Sequence, residues 1–241
     1  MEIVVDAIYD YRYLLTRGYP IEHALNIVSL KYSLDKKQKL FLYRCVHSKQ
    51  HAYETKSKIV RDSSEIEGIV MDFYNILLTS IEVFMKKEVF LCDDCLIRDL
   101  RGSKIHADEV PFISTIFSRI ANAIKLIGFK KVIVVADKNI SYSMEYLRLF
   151  TEIMNSYGIN CYGILSKTTD KDVIAISSEN RNIAVATTDI VIIRNALRIY
   201  PLINCMISIY RDEYRIFDVS TILGEDCSSY IDKKCIDAID K

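Results

Sequence analysis

Residues 68–86 read GIVMDFYNILLTSIEVFMK, and the fold depends on how this stretch divides. The first five residues are an apolar run closed by Asp72. From position 74 to 86 the apolar side chains Ile76, Leu77, Ile81 and Phe84 return at three-to-four spacing. A short buried strand feeding straight into an amphipathic helix is half of a βαβ unit. The same change of period recurs downstream. Strands are expected at 89–92, 131–137, 160–165, 183–186 and 205–209, and helices at 74–86, 111–127, 143–157, 170–180 and 189–199. Strands and helices taking turns predict an α/β fold, a three-layer α/β/α sandwich on a mostly parallel sheet. A last pair, 214–219 and the polar tail from Thr221, reads as an edge strand and a terminal helix.

Upstream of residue 61 the pattern is helical only. Ile3, Ala7, Ile8, Tyr11, Leu14 and Leu15 mark a first helix that Gly18-Tyr19-Pro20 stops, and Pro20 opens a second through Leu30. Asp35 caps a third, with Leu40, Phe41 and Val46 on its apolar side and Lys36, Lys37, Lys39, Arg44 and Lys49 elsewhere. His47 and His51 fall one turn apart on this helix and read as solvated surface residues; Ser48 stands where a metalloprotease H-E-x-x-H would need Glu. Residues 52–66 turn polar, as a linker or a frayed helix end. The expected division is therefore a helical module at 1–60 and an α/β domain at 61–241.

Composition narrows the function classes. Half of the 241 residues are hydrophobic, enough for a substantial core, and only 7 Gly and 3 Pro punctuate the chain. The glycines make neither a G-x-G-x-x-G nor a phosphate-binding G-x-x-x-x-G-K-[ST] loop, which argues against a dinucleotide enzyme or a P-loop ATPase. Lys+Arg and Asp+Glu each total 32, so no uniform positive field steers nucleic acid from a distance. The amino-terminal residues lack the basic start and cleavage site of a signal peptide, and no uninterrupted apolar run approaches the length of a membrane span, so a cytoplasmic protein is expected. The 7 cysteines are then expected to be reduced and mostly buried; Cys92-Asp93-Asp94-Cys95 is a lone C-x-x-C without a partner pair for zinc.

The chemistry lies at the carboxyl ends of the strands. Asp72, Asp93 and Asp94, Asp137, Asp170 and Asp172, and Asp189 come at or just beyond five successive strand ends. In an open parallel sheet that edge is where ligands bind. Carboxylates gathered there repel one another unless a cation compensates, and Mg²⁺ or Mn²⁺ prefers such hard oxygen donors. Hydrolysis at a phosphate ester is the natural reaction class. Individually, Asp170 and Asp189 also suit helix capping, whereas Asp72, closing the most apolar strand, is costly to bury without a purpose.

The stretch IVMDFYNILLTSIE resembles the opening of PIN-like and NYN-like nuclease domains, whose first strand ends in D-x-x-N before an apolar helix. With YRYLLTRGYP, ALNIVSLKYSL, CDDCLIRDLRG, ADKNISYSMEY and the TTDK and ATTDIVII segments, the chain resembles an archaeal family that joins a short helical module to a PIN-like domain. The resemblance implies a metal-dependent ribonuclease. Asp72, Asp137 and Asp189 would hold Mg²⁺ or Mn²⁺, with Asp94 and Asp170 completing the set of catalytic acids. Asn75, Arg98, Ser141 and Ser143 would contact substrate, and Glu82 and Asp99 are implicated with them. RNA is the implied substrate, with the helical module contacting RNA or a protein partner and homo-oligomerisation left open. Two positions depart from the family pattern: Phe73 stands where Gly is usual and is expected to narrow access, and Met144 stands where a small residue is usual. These favour the alternative, a PIN-like fold that binds RNA or assembles without cutting. A phosphatase or nucleotide-binding α/β enzyme is a third reading.

Overall fold

The computed structural model describes residues 2–102, 104–210 and 215–237. Its centre is a four-stranded parallel sheet. Strand β1 (Gly68–Asp72) is buried at every residue because it is flanked on both sides and covered on both faces. With β4 (Lys131–Asp137), β5 (Asn160–Ser166) and β6 (Ile183–Ala186) it forms the order β5-β4-β1-β6. The register aligns Gly68 with Lys131 and Ile183, and Asp72 with Val135.

Period-two alternation sorts the side chains by face. Ile69, Met71, Val132, Val134 and Ala136 pack with α5 (Phe73–Phe84), α6 (Ile113–Ile127) and α7 (Ser143–Ser156). Val70, Val135, Val185 and Ile133 pack with α8 (Thr169–Glu179) and α9 (Ile190–Asn195). Asp72 continues the Val70 series and Asp137 the Ile133–Val135 series, so both strand-end acids belong to the α8–α9 face. Close strand pairing also explains Gly68: a Cβ there would stand 2.2 Å from the Lys131 carbonyl oxygen. Gly68→Ala is expected to destabilise the protein by about 1–3 kcal/mol, since two paired backbones must part; calorimetric unfolding reads this as a lowered Tm.

Three expectations change. The stretch 205–209, read as a strand, lies in helix α10 (Leu202–Tyr210), which opens after Pro201 and buries Leu202, Ile203, Cys205 and Met206. A short run so apolar carries no clear period, and packing against α5 and α6 decides it. Strand β2 (Glu88–Leu91) is outside the main sheet: it pairs antiparallel with β3 (Ile97–Arg98) and parallel with β7 (Arg215–Asp218). The strand expected at 214–219 thus begins, within the described residues, at Arg215, and Tyr214 lies outside them; short helices α11 (Val219–Ile222) and α12 (Lys233–Asp237) come after it. The thiols also differ from expectation. Cys95 pairs with Cys227 and Cys205 with Cys235, while Cys45, Cys92 and Cys161 are free.

The amino-terminal helices are α1 (Val5–Thr16), α2 (Ile21–Tyr32), α3 (Lys36–Cys45) and α4 (Lys49–Lys58). Asp35 caps α3 in a reciprocal box with Gln38, and Ser48 caps α4, so the third helix ends before His47 and most of the expected linker is helical. Ala7, Ile8, Tyr11, Phe41, Leu42 and Cys45 share one core with Phe90 of β2, Cys92 just past it and Val219. Glu225 joins the two regions further by pairing with Arg12 and Lys56. The composition changes near residue 60, but the packing is continuous across it.

Residues 110–127, which include α6, meet the length and hydropathy of a membrane span. Here Ile113, Ile116, Phe117, Ile120, Ile124 and Ile127 face the protein core, as an amphipathic core helix requires.

Candidate functional site at the acidic edge of the parallel sheet

The carboxyl ends of β1 and β4 open into a pocket of about 210 Å³ lined by Asp72, Tyr74, Asn75, Asp99, Arg101, Asp137 and Asp170, with Arg44 reaching in from α3. Asp72 is the deepest acid, 2% exposed. Asn75 Nδ2 and Thr187 Oγ1 donate to its Oδ2 at 2.6 and 2.8 Å. The D-x-x-N spacing places Asn75 in the first turn of α5, back over the strand end. Burial raises the Asp72 carboxyl to about 6 against those two hydrogen bonds, and Asp189 and Asp170 push in the same direction as burial. Asp170, at the rim, is likewise raised, by partial burial and then by Asp189 and Asp137. Asp72, Asp137, Asp170 and Asp189 are thus electrostatic neighbours, brought together from four separate segments.

Their oxygens nevertheless do not close on one point. Among the described residues, the set of three acidic or histidine groups whose ligand atoms all lie within 4.8 Å of one another is His47, Asp93 and Asp94. Asp189 Oδ1 accepts from the Val191 and Ile192 amides and caps α9, while Asp137 Oδ1 accepts from Asn139. Asp72, Asp137 and Asp189, expected around one ion, form a wide acidic cup here, each carboxylate having a local hydrogen-bond anchor. The donors remain hard oxygens, and the pocket cations are committed elsewhere: Arg101 to Glu109 and Glu82, Arg44 to Asp99. Mg²⁺ or Mn²⁺, which retains waters between itself and carboxylates, fits this donor set.

The remaining expected residues separate clearly. Arg98 is 0% exposed, and its two terminal nitrogens donate to both oxygens of Asp94, at 2.8 and 2.5 Å. The pair is enclosed on the second sheet, so Arg98 does not face a phosphate and Asp94 does not join the acidic cup. Five strand-end acids on one edge become four because β2 belongs to the other sheet. Ser141 is exposed and outside the pocket; Ser143 is buried beside the Tyr74 phenol. Glu82 is held by Lys87 and Arg101, and Asp99 Oδ2 accepts from Thr79 Oγ1 at 2.6 Å. Phe73 does not narrow the pocket: it is buried on the other side of the sheet against Tyr74, Phe117 and Phe150. Met144 is 60% exposed and does not line the pocket either. Tyr74 and Arg101 were not anticipated. Tyr74 is explained by its place in the first turn of α5, but Arg101 sits in a loop whose course the local pattern does not dictate.

Residues 61–205 match the family described as Domain of unknown function (DUF5616). The chain belongs to this family. Residues 4–58 match a second, described as Protein of unknown function (DUF434). The chain is also 30% identical over 191 residues to the uncharacterized protein MJ0935 of Methanocaldococcus jannaschii, an alignment covering 77% of this chain and 86% of that one. No solved structure matches it. The DUF5616 segment contributes Asp72, Asp137 and Asp170, whereas Arg44 of the same pocket comes from the DUF434 segment. The pocket is thus built by both matched segments.

Proposed function

We propose that this protein is a Mg²⁺- or Mn²⁺-dependent ribonuclease with a PIN-like α/β domain. The observation that carries the reading is one pocket lined by Asp72, Asp137 and Asp170 with Asp189 as their electrostatic neighbour, Asp72 being buried with its carboxyl raised to about 6. A carboxylate held at that cost in stability, among other acids, is the signature of a site built for a cation. Asp72 would be the anchoring ligand, fixed in one rotamer by Asn75 and Thr187, with Asp137, Asp170 and Asp189 holding the ion directly or through water. When bound, such an ion acidifies one of its waters and stabilises charge on a phosphoryl oxygen. Asp170, exposed at the rim with its carboxyl raised by partial burial and by Asp189 and Asp137, would accept the proton from that water. RNA as substrate rests on the resemblance to PIN-like and NYN-like domains, an argument by analogy.

The test is cleavage of single-stranded and structured RNA with Mn²⁺ and with EDTA. Expected is metal-dependent cutting that Asp72→Asn removes. Cutting that persists in Asp72→Asn, or RNA bound tightly but intact at every Mn²⁺ concentration, overturns the ribonuclease reading.

A further inference from the structure

A second pocket lies where the amino-terminal helices meet α9. It has a volume of about 200 Å³, and its walls include Tyr11, Tyr19, Tyr43, His47, His51 and Arg194. His47 was expected on a solvated helix face. Instead it lies just past the end of α3 and is 6% exposed. Its Nδ1 lies 2.6 Å from Asp93 Oδ1, and its own amide donates to Asp93 Oδ2 at 2.8 Å, so one buried carboxylate fixes both ring and backbone. Asp94 stands 3.9 Å behind the same nitrogen.

That anchoring leaves the opposite ring edge for the cavity. His47 Nε2 is buried and has no hydrogen-bond partner. Buried polar atoms are almost always satisfied, and a ring pinned by a carboxylate with its other nitrogen bare is the arrangement of a group awaiting a ligand. The surroundings say which kind. Arg194 has no carboxylate partner among the described residues, and its Nε is also buried without a partner. His51 is lowered by burial first and then by Arg194 and His47, which face the same cavity. The ten-residue helix α4 starts at this cavity, its cap Ser48 being part of the wall. Its positive end adds to the field. The other walls are the tyrosine rings and the apolar Leu15, Pro20, Ile21 and Val46, with Tyr19 and Tyr43 partly open to solvent.

The geometry points to a binding site for a single nucleotide, with its phosphate against Arg194, His47 and the start of α4 and its base against the tyrosines. The Arg194 guanidinium and the bare His47 nitrogen recognise the phosphate, and aromatic faces hold the base; in the first turn of α4 the Lys49 and His51 amides already donate to Thr16 and Ser48, so that helix end contributes its dipole. Arg194 sits five residues along α9 from Asp189, about 7.5 Å of helix rise, so this pocket neighbours the acidic cup but shares no wall residue with it. The site does not depend on the ribonuclease reading.

The experiment is calorimetric titration of the full chain in EDTA with AMP, adenosine and inorganic phosphate, alongside imidazole NMR signals of His47 and His51. AMP is expected to bind more tightly than either fragment and to move both imidazole signals. Arg194→Gln, which alters a partly exposed side chain, is expected to weaken AMP at least about tenfold, the loss of one charge-assisted contact. Tyr43→Ala should weaken AMP but not phosphate, and Asp72→Asn should change nothing, which separates this site from the acidic cup. AMP binding no better than phosphate, or unchanged in Arg194→Gln, overturns the assignment.

Discussion

Asp72→Asn is expected to make the protein more stable at pH 7 while removing the metal-dependent cleavage proposed for it. In the unfolded chain this carboxyl titrates near the ordinary 3.8, whereas in the fold it titrates at about 6. Between those values the folded protein keeps a proton that the unfolded chain has lost. Stability therefore falls as pH rises through that window and stays lower above it. At pH 7 the cost is about 3 kcal/mol by order of magnitude. Asparagine is neutral and nearly isosteric. Its carbonyl oxygen can still accept from Asn75 and Thr187, so the substitution removes the charge without breaking the local network. For a chain of this size, the expected gain in Tm at pH 7 is roughly 5–10 °C, vanishing below about pH 4. Mn²⁺ should raise the Tm of the natural protein and leave that of the variant unchanged, because only a state that binds the ion is stabilised by it. A drop in Tm at pH 7, or equal stabilisation of both proteins by Mn²⁺, would show that Asp72 is an ordinary structural acid. The stabilisation is informative because a merely structural carboxylate is lost at a cost, not at a gain.

How much of this was legible in the sequence depends on the range of the interactions involved. GIVMD and its successors at 131–137 and 183–186 were readable because a strand buried on both faces has to be apolar throughout, and a strand-end acid stands out against such a run. Asn75 over Asp72 was readable because the first turn of a helix fixes that spacing. The second sheet was not readable. Strand β2 has the composition of a central strand, but beside its near neighbour β3 its parallel partner β7 comes from a segment more than 100 residues away, which local patterns do not encode. The same limit hid His47. Its identity as a buried, carboxylate-oriented ring depends on Asp93, 46 positions away, whereas the local pattern offered only a charged helix end. Phe73 shows the reverse error. A family comparison makes it an obstruction, yet the first position of α5 points it into the aromatic cluster behind the sheet. Tyr11 and Tyr19 likewise sit in one tyrosine-rich segment, but tertiary packing buries the first and leaves the second half-open.

Arg98 provides the other large effect, and it separates a structural role from a substrate-binding one. Arg98→Met is expected to destabilise the protein by about 3–5 kcal/mol, because it leaves Asp94 charged, enclosed and without its main partner. Burial by itself would push the Asp94 carboxyl up, but Arg98 and then His47 pull it below the usual range, so the pair keeps its charges down through mildly acidic pH. After the substitution, the Leu96 amide, donating at 3.2 Å, would be the remaining hydrogen bond to that carboxylate, and one neutral donor does not offset the desolvation of a full charge. Combining Arg98→Met with Asp94→Asn should recover most of the loss, since a neutral pair carries no uncompensated charge. If Arg98 instead gripped a phosphate, the single variant would fold with nearly natural stability and show its defect in KM for RNA, and neutralising Asp94 would rescue nothing. Chemical denaturation of the single and double variants, set beside their RNA kinetics, therefore decides between the two roles. An arginine 0% exposed whose two terminal nitrogens both serve Asp94 is closed to substrate, so the loss should fall on folding, with any proposed cleavage unchanged in the fraction that folds.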